Sequence, residues 1–341
     1  MSAFTQDGNE NRMRWDRASP SFIEAWSASF NHRESGSGLW IRYSITAPEV
    51  GLGDPYCELW GVWFDPDGKA NLGGKRRFSI DHLGDDDGRD DGALVRIGVA
   101  YLSETHLEGA LEVGGGALEW SIDLDPAPGC FQHLPPALRG RLEKRVSTLC
   151  APNLSVRCRG KVSVDGRLFE FDDDHAYQGH RWGRRQPGSW AWLHCSSFEE
   201  GEDAVFEGVA ARSTLGLVPM PTMTFLYLSI DGREIPFNEM RWALKARSRY
   251  EMPTWAFSAR NDAYKIAGAG RVSVDRLVQV TFTDPDGSQR FCANSEIADL
   301  ALELYRRDRN LWRHAGSLTA LRTAHLEFGR RDAFLELPIL V

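Results

Sequence analysis

Val156 to Phe171 reads VRCRGKVSVDGRLFEF. Polar and apolar residues alternate from Val156 to Val164, the pair Asp165-Gly166 interrupts, and alternation resumes from Arg167 to Phe171. Period two is the signature of a strand with one buried face. An Asp-Gly pair between two such runs supplies the positive-φ residues of a tight hairpin turn. The stretch predicts an antiparallel hairpin, and the rest of the chain repeats its texture.

Towards the N-terminus, Phe22 to Phe30 and Leu39 to Thr46 form a second predicted hairpin across NHRESGSG, with Gly36 and Gly38 in its turn. CELWGVWF, from Cys57, is a strand closed by DPDG, where Pro66 presets φ and Gly68 ends the turn. Ala93 to Leu102, Leu107 to Val113 and Ala117 to Leu124 alternate again. Ahead of these, GDDDGRDDG at 84–92 reads as a solvated loop, since its aspartates lack calcium-loop spacing. Towards the C-terminus, Thr222 to Ile230, Trp255 to Ala259, Arg271 to Thr283, Leu300 to Arg306 and His325 to Phe328 are further strands. KVSVDGR from Lys161 is echoed by RVSVDR from Arg271, and FDPDG from Phe64 by TDPDG from Thr283, a weak sign of duplication.

With 341 residues, two domains are expected. PAPGCFQHLPPALRGRLEKR, from Pro126, breaks the alternation as a connector, so the division is placed at 1–150 and 151–341. Many short strands without βαβ alternation leave antiparallel sandwiches or barrels, and a barrel of about eight strands can enclose one small ligand.

The hydrophobic, aromatic and charged fractions of 42%, 11% and 26% are those of a folded globular protein. A net charge of −8 without a long basic run argues against nucleic acid as a partner. No apolar run has the length of a signal peptide or a membrane span, so a soluble cytoplasmic protein is expected. The six cysteines show no CxxC and read as buried free thiols. His32, His82 and His106 lie singly and predict no metal site. There is no GxSxG, and GAGRVS at Gly268 lacks the strand-turn-helix context of a dinucleotide motif.

Tyr177 to Cys195, YQGHRWGRRQPGSWAWLHC, concentrates tryptophans, histidines and arginines, a mixture suited to the wall of a site. At strand spacing, Trp190, Trp192 and His194 share one side. Asp174, Gln178, His180 and Trp182 share a side of theirs. The order Tyr177, His180, Trp182-Gly183, Pro187, Trp190, Trp192 and Phe198 resembles the motif of tocopherol cyclase-like proteins, carotenoid 1,2-hydratases and AttH-like proteins. SFIEAWSASFNHRESGSGLWIRYSITAP, CELWGVWFD, NSEIADLALELYRR and AHLEFG extend the resemblance over nearly the whole chain. It implies an all-β protein of two lipocalin-like antiparallel barrels packed together, with a lipophilic pocket near or between them. Its relatives cyclise a prenylated quinol, hydrate an isoprenoid double bond or guide cycloadditions, and no cofactor is implied. Those hydratase and cyclase motifs carry a carboxylate immediately before the basic residue, where this chain has Gly179.

Protonating an alkene carbon needs an acid and a pocket that stabilises the cation; a desolvated indole face contributes roughly 0.5–2 kcal/mol to that. The catalytic candidates are therefore His180, Asp174 and His194, with Asp172, Asp173 and Glu207 as neighbouring carboxylates. Tyr177, Arg181, Trp182, Trp190, Trp192, Glu207, Trp40, Arg42 and Trp60 are the substrate-binding candidates, Arg181 as a partner for a carboxylate or carbonyl oxygen. The expected partner is a lipophilic small molecule, isoprenoid or polyketide-like. It is either turned over by cyclisation, hydration or cycloaddition, or carried without chemistry. Barrels filled by their own side chains, in an interaction protein, are a third possibility.

Overall fold

In the computed structural model the described residues are 4–5, 10–84, 92–114, 116–126, 128–134, 147–215 and 218–341. The acidic stretch at 85–91 and most of the connector, 135–146, lie outside them.

The hairpin around Asp165-Gly166 forms as expected. Thr148–Val164 and Arg167–Gly183 pair with Val164 opposite Arg167, and Asp165 and Gly166 take φ of 49° and 79° between them. This hairpin is the spine of a 13-stranded antiparallel sheet. On one side Arg167–Gly183 pairs with Phe22–His32, followed by Ser37–Ala47, Tyr56–Phe64 and Leu72–Ser79. On the other, Thr148–Val164 pairs with Gly116–Leu124, then His106–Val113, Ala100–Ser103, Ala93–Ile97 and Leu83–Gly84. The sheet curls almost shut: a Cβ added to Gly74 would stand 2.4 Å from the Val113 side chain, on a strand far along the sheet order.

The second sheet has ten strands, with Ser189–Cys195 near its middle between Val205–Arg212 and Leu311–Arg330. It curls too, since a Cβ on Gly208 would stand 3.1 Å from the Trp255 ring. The fold is two lipocalin-like barrels packed together. The first sheet runs on to Gly183 and the second begins at Ser189, so the break between sheets falls at 184–188 and not at residue 150. The connector does not separate the sheets, because the hairpin after it closes the first barrel.

Four strand expectations are corrected. Ala93 to Leu102 is a hairpin of two strands, Ala93–Ile97 and Ala100–Ser103, paired antiparallel. Leu300 to Arg306 and His325 to Phe328 are parts of two 20-residue strands, Gln289–Asp308 and Leu311–Arg330, joined at Arg309 with φ of 54°. A turn without glycine hid that hairpin. Arg271 to Thr283 is not one strand, for Tyr264–Arg271 ends there and a 3-10 turn at Val274–Arg276 precedes Val278–Thr283. The echo of KVSVDGR is therefore not structural, whereas both DPDG segments do turn, with Gly68 N–H donating to Asp65 O and Gly287 N–H to Asp284 O, each 2.9 Å.

The barrels are filled. Trp26, Phe30, Tyr43 and Trp120 occupy the first, and Phe206, Trp255 and Phe257 the second. These side chains pack the barrel interiors, where alternation alone suggested a ligand chamber. The barrels meet through a separate apolar layer, with Trp40, Trp60, Val62 and Phe64 against Trp190, Val280 and Phe282. All six cysteines are buried and free. No helix among the described residues is long and apolar enough to cross a membrane.

Candidate functional site: a cavity between the barrels

Ser189–Cys195 decides the second barrel's contribution. Its alternation turns Trp190 and Trp192 outward from that barrel's core, whereas Ala191, Leu193 and Cys195 are buried within it. Register then fixes the neighbours: Val209 and Glu327 flank Trp192, and Glu207 and His325 flank His194. A Cβ on Gly329 would stand 2.1 Å from the Trp190 indole, so glycine there is what lets that ring lie against its neighbouring strand.

The first barrel answers with the outward face of three paired strands. Tyr177 sits opposite Ser29, Ser29 opposite Trp40, and Ser27 opposite Arg42. Between these faces lies a cavity of about 250 Å³, mainly apolar, whose walls include Trp40, Arg42, Tyr177, Arg181, Trp190 and Trp192. Those six positions were expected from the sequence to bind substrate, and the fold brings them together.

Glu207 and His194 lie against the cavity wall as a buried polar layer. Glu207 accepts the Trp192 indole N–H at 2.7 Å on Oε1, and its Oε2 is 3.0 Å from His194 Nδ1. His133 Nε2 stands 2.5 Å from Glu207 Oε1. Because His133 Nδ1 faces the Leu149 carbonyl at 3.1 Å and must donate to it, a proton is shared on the Nε2–Glu207 contact. Burial pushes the Glu207 carboxyl up, but His133 and His194 outweigh that and hold it below the usual carboxylate range.

The remaining expected residues are elsewhere. His180 faces the interior of the first barrel, because alternation turns it away from Tyr177. It stacks on Trp26 at 4.7 Å, with Nδ1 2.8 Å from Glu10 O and Nε2 2.8 Å from Glu24 Oε1. Glu24 also accepts the backbone N–H groups of Arg14 at 2.7 Å and Trp15 at 2.9 Å, so the pair pins the N-terminal segment to the barrel. Asp174 follows Asp173, whose φ of 59° marks an irregularity, and it accepts the N–H groups of Arg33 and Asp172 at 2.9 and 3.2 Å. It is a loop anchor away from the cavity. Trp182 packs with Cys130 and Cys150. Trp60 stands behind Trp40, edge to face at 6.2 Å, with its N–H 3.0 Å from Ser44 Oγ.

Four residues were missed: His133, Glu296, His325 and Glu327. The signal for two of them was present, since AHLEFG places His325 and Glu327 two apart, as WAWLH does its rings. Glu327 lines the cavity and its Oε2 accepts the Trp190 N–H at 3.4 Å. Burial raises its pKa despite that hydrogen bond and the nearby Arg42 and Arg181. Glu296 is pushed well up by burial, then by Glu327, and His325 well down by burial, then by His194 and His175. His325 Nδ1 lies 3.2 Å from Glu296 Oε2, and both shifts favour the uncharged forms. Burial, then the charge of Arg181, brings Arg42 down to about 10. Among the described residues no three His, Cys, Asp or Glu side chains are grouped to hold a metal ion.

The chain belongs to the tocopherol cyclase-like family, whose sequence model matches residues 154–330. An uncharacterized protein of Mycobacterium tuberculosis strain H37Rv is 26% identical over 319 residues, covering 93% of this chain and 89% of that protein. Among solved structures, the chain is similar to a putative AttH from Nitrosomonas europaea, with TM-score 0.53 and 9% identity over 94% of this chain and 98% of that one. It is also similar to kievitone hydratase from Nectria haematococca, with TM-score 0.53 and 10% identity over 96% of each chain. CghA, solved with Sch210972, gives TM-score 0.55 and 10% identity over 95% of this chain and 92% of that one.

Proposed function

We propose that the chain is an enzyme that cyclises or hydrates a lipophilic alkene, isoprenoid or polyketide-like, in the cavity between its barrels, with Glu327 as the general acid. The carrying observation is a carboxyl group with a raised pKa in an apolar cavity walled by Trp40, Trp190 and Trp192. Alkene protonation requires a carboxylic acid, and a raised pKa lets a carboxyl group hold its proton to higher pH than an exposed one does. Glu327 gives its proton to one alkene carbon, and the indole faces stabilise the cation left at the other. Water, or a hydroxyl of the substrate, adds to that carbon and returns a proton to the Glu327 carboxylate, so the net change is hydration or isomerisation. His133, Glu207 and His194 hold the Trp192 ring in place. Membership of the tocopherol cyclase-like family and the fold shared with a hydratase support this reading.

The test is to incubate the protein and its Glu327→Gln variant with an apolar extract of the source cells and compare products by mass spectrometry. Wild type is expected to yield an isomer or hydrate that the variant does not. A compound bound and released unchanged by both would instead make the protein a carrier.

A further inference from the structure

Two arginines inside the cavity and two at its mouth form no salt bridge with a carboxylate among the described residues, although Glu327 acts on Arg42 and Arg181 through its charge. Arg42 and Arg181 project from the strands on either side of Phe22–His32, and Arg185 and Arg331 are exposed lining residues. Arg42 stacks over Phe282 at 4.7 Å, and its buried Nε meets no hydrogen-bond acceptor. Arg181 lies 5.7 Å over Trp190 and donates to Ser147 Oγ at 3.2 Å. Arg290, which also lines the cavity, shows the contrast, for it is paired with Asp284 at 2.9 Å. Desolvating a guanidinium without a counter-charge is costly, and a chain of net charge −8 has carboxylates to spare. An anionic group entering the cavity would supply the close partner that Arg42 and Arg181 lack.

We propose that the ligand is a lipophilic carboxylic acid, its skeleton against Trp40, Trp190 and Trp192 and its carboxylate held between Arg42 and Arg181. The planar fork of a guanidinium matches a carboxylate bidentately. This rests on the reading of the cavity as a lipophile site and adds its head group. It also gives binding a chemical consequence: Arg42 and Arg181 both draw the Glu327 proton off, and a bound carboxylate cancels part of that field.

Farnesoic acid and farnesol share a skeleton and differ in the head group, and tryptophan fluorescence at pH 8 reads the binding of each. The acid is expected to bind at least about tenfold tighter to wild type. Arg42→Gln with Arg181→Gln is expected to bring the ratio of the two affinities to within about twofold of unity, with the variant's fold checked by circular dichroism and urea unfolding. Farnesol binding as tightly as the acid in wild type, or a preference for the acid persisting in a folded double variant, overturns the proposal and leaves the lipophile site standing. Failure of both probes to bind wild type removes the lipophile site and this proposal together.

Discussion

A Cβ built on Gly179 would stand 2.9 Å from both Cε1 and the hydroxyl oxygen of Tyr177, so the phenol lies over the glycine. The backbone position compared above with the carboxylate of the hydratase and cyclase motifs is roofed here by a ring. The acidic group that lines the cavity is instead Glu327, on the opposite barrel.

Gly179→Asp therefore overpacks a buried contact. It is expected to lower stability by about 1–3 kcal/mol in urea unfolding. Combined with Tyr177→Ala the loss should be smaller than the sum of the two single losses, because the clash is between those two side chains. Additive costs would show that they do not meet.

His180→Ala tests whether that imidazole anchors the first barrel and not the cavity. His180 and Glu24 are both fully buried, and removing one partner of such a pair costs about 3–5 kcal/mol. The variant should unfold at lower urea, while the folded protein keeps its affinity for cavity probes. A stable variant that no longer binds those probes would return His180 to the site.

Glu327 gives a pH dependence of stability. Its folded pKa is raised, so the folded state holds the proton more firmly than the unfolded chain. That contribution is fully present below the ordinary carboxylate range and is lost as pH rises through the raised value, at about 1.4 kcal/mol for each pH unit separating the folded and unfolded pKa values. Glu327→Gln should thus gain thermal stability over wild type at pH 9 and show little gain at pH 4.

Glu207 predicts the opposite sign. Its pKa is lowered in the fold, so its contribution is present above the ordinary carboxylate range and is lost as pH falls through the lower folded value. Glu207→Gln should cost about 3–5 kcal/mol at pH 7, less at pH 3, and alter the fluorescence of Trp192, whose N–H it accepts.

Strands were legible in the sequence wherever period two met a glycine turn, as at Asp165-Gly166. They were not where the turn was Arg309-Asn310. The cavity wall was legible because Trp190 and Trp192, like Tyr177 and Arg181, stand an even number of positions apart and so share a face. Which face of Arg167–Gly183 looks into its barrel was not: Tyr177 on one side and His180 and Trp182 on the other are equally aromatic, and only the partner strands decide. Glu327 escaped because its role depends on pairing with Trp192, 135 residues away in the chain.

Turnover in D2O reads directly whether Glu327 transfers a proton to a substrate carbon. Wild type is expected to form product with one deuterium on carbon, and Glu327→Gln to form none. A product with no deuterium on carbon, formed equally fast by both proteins, would contradict that transfer.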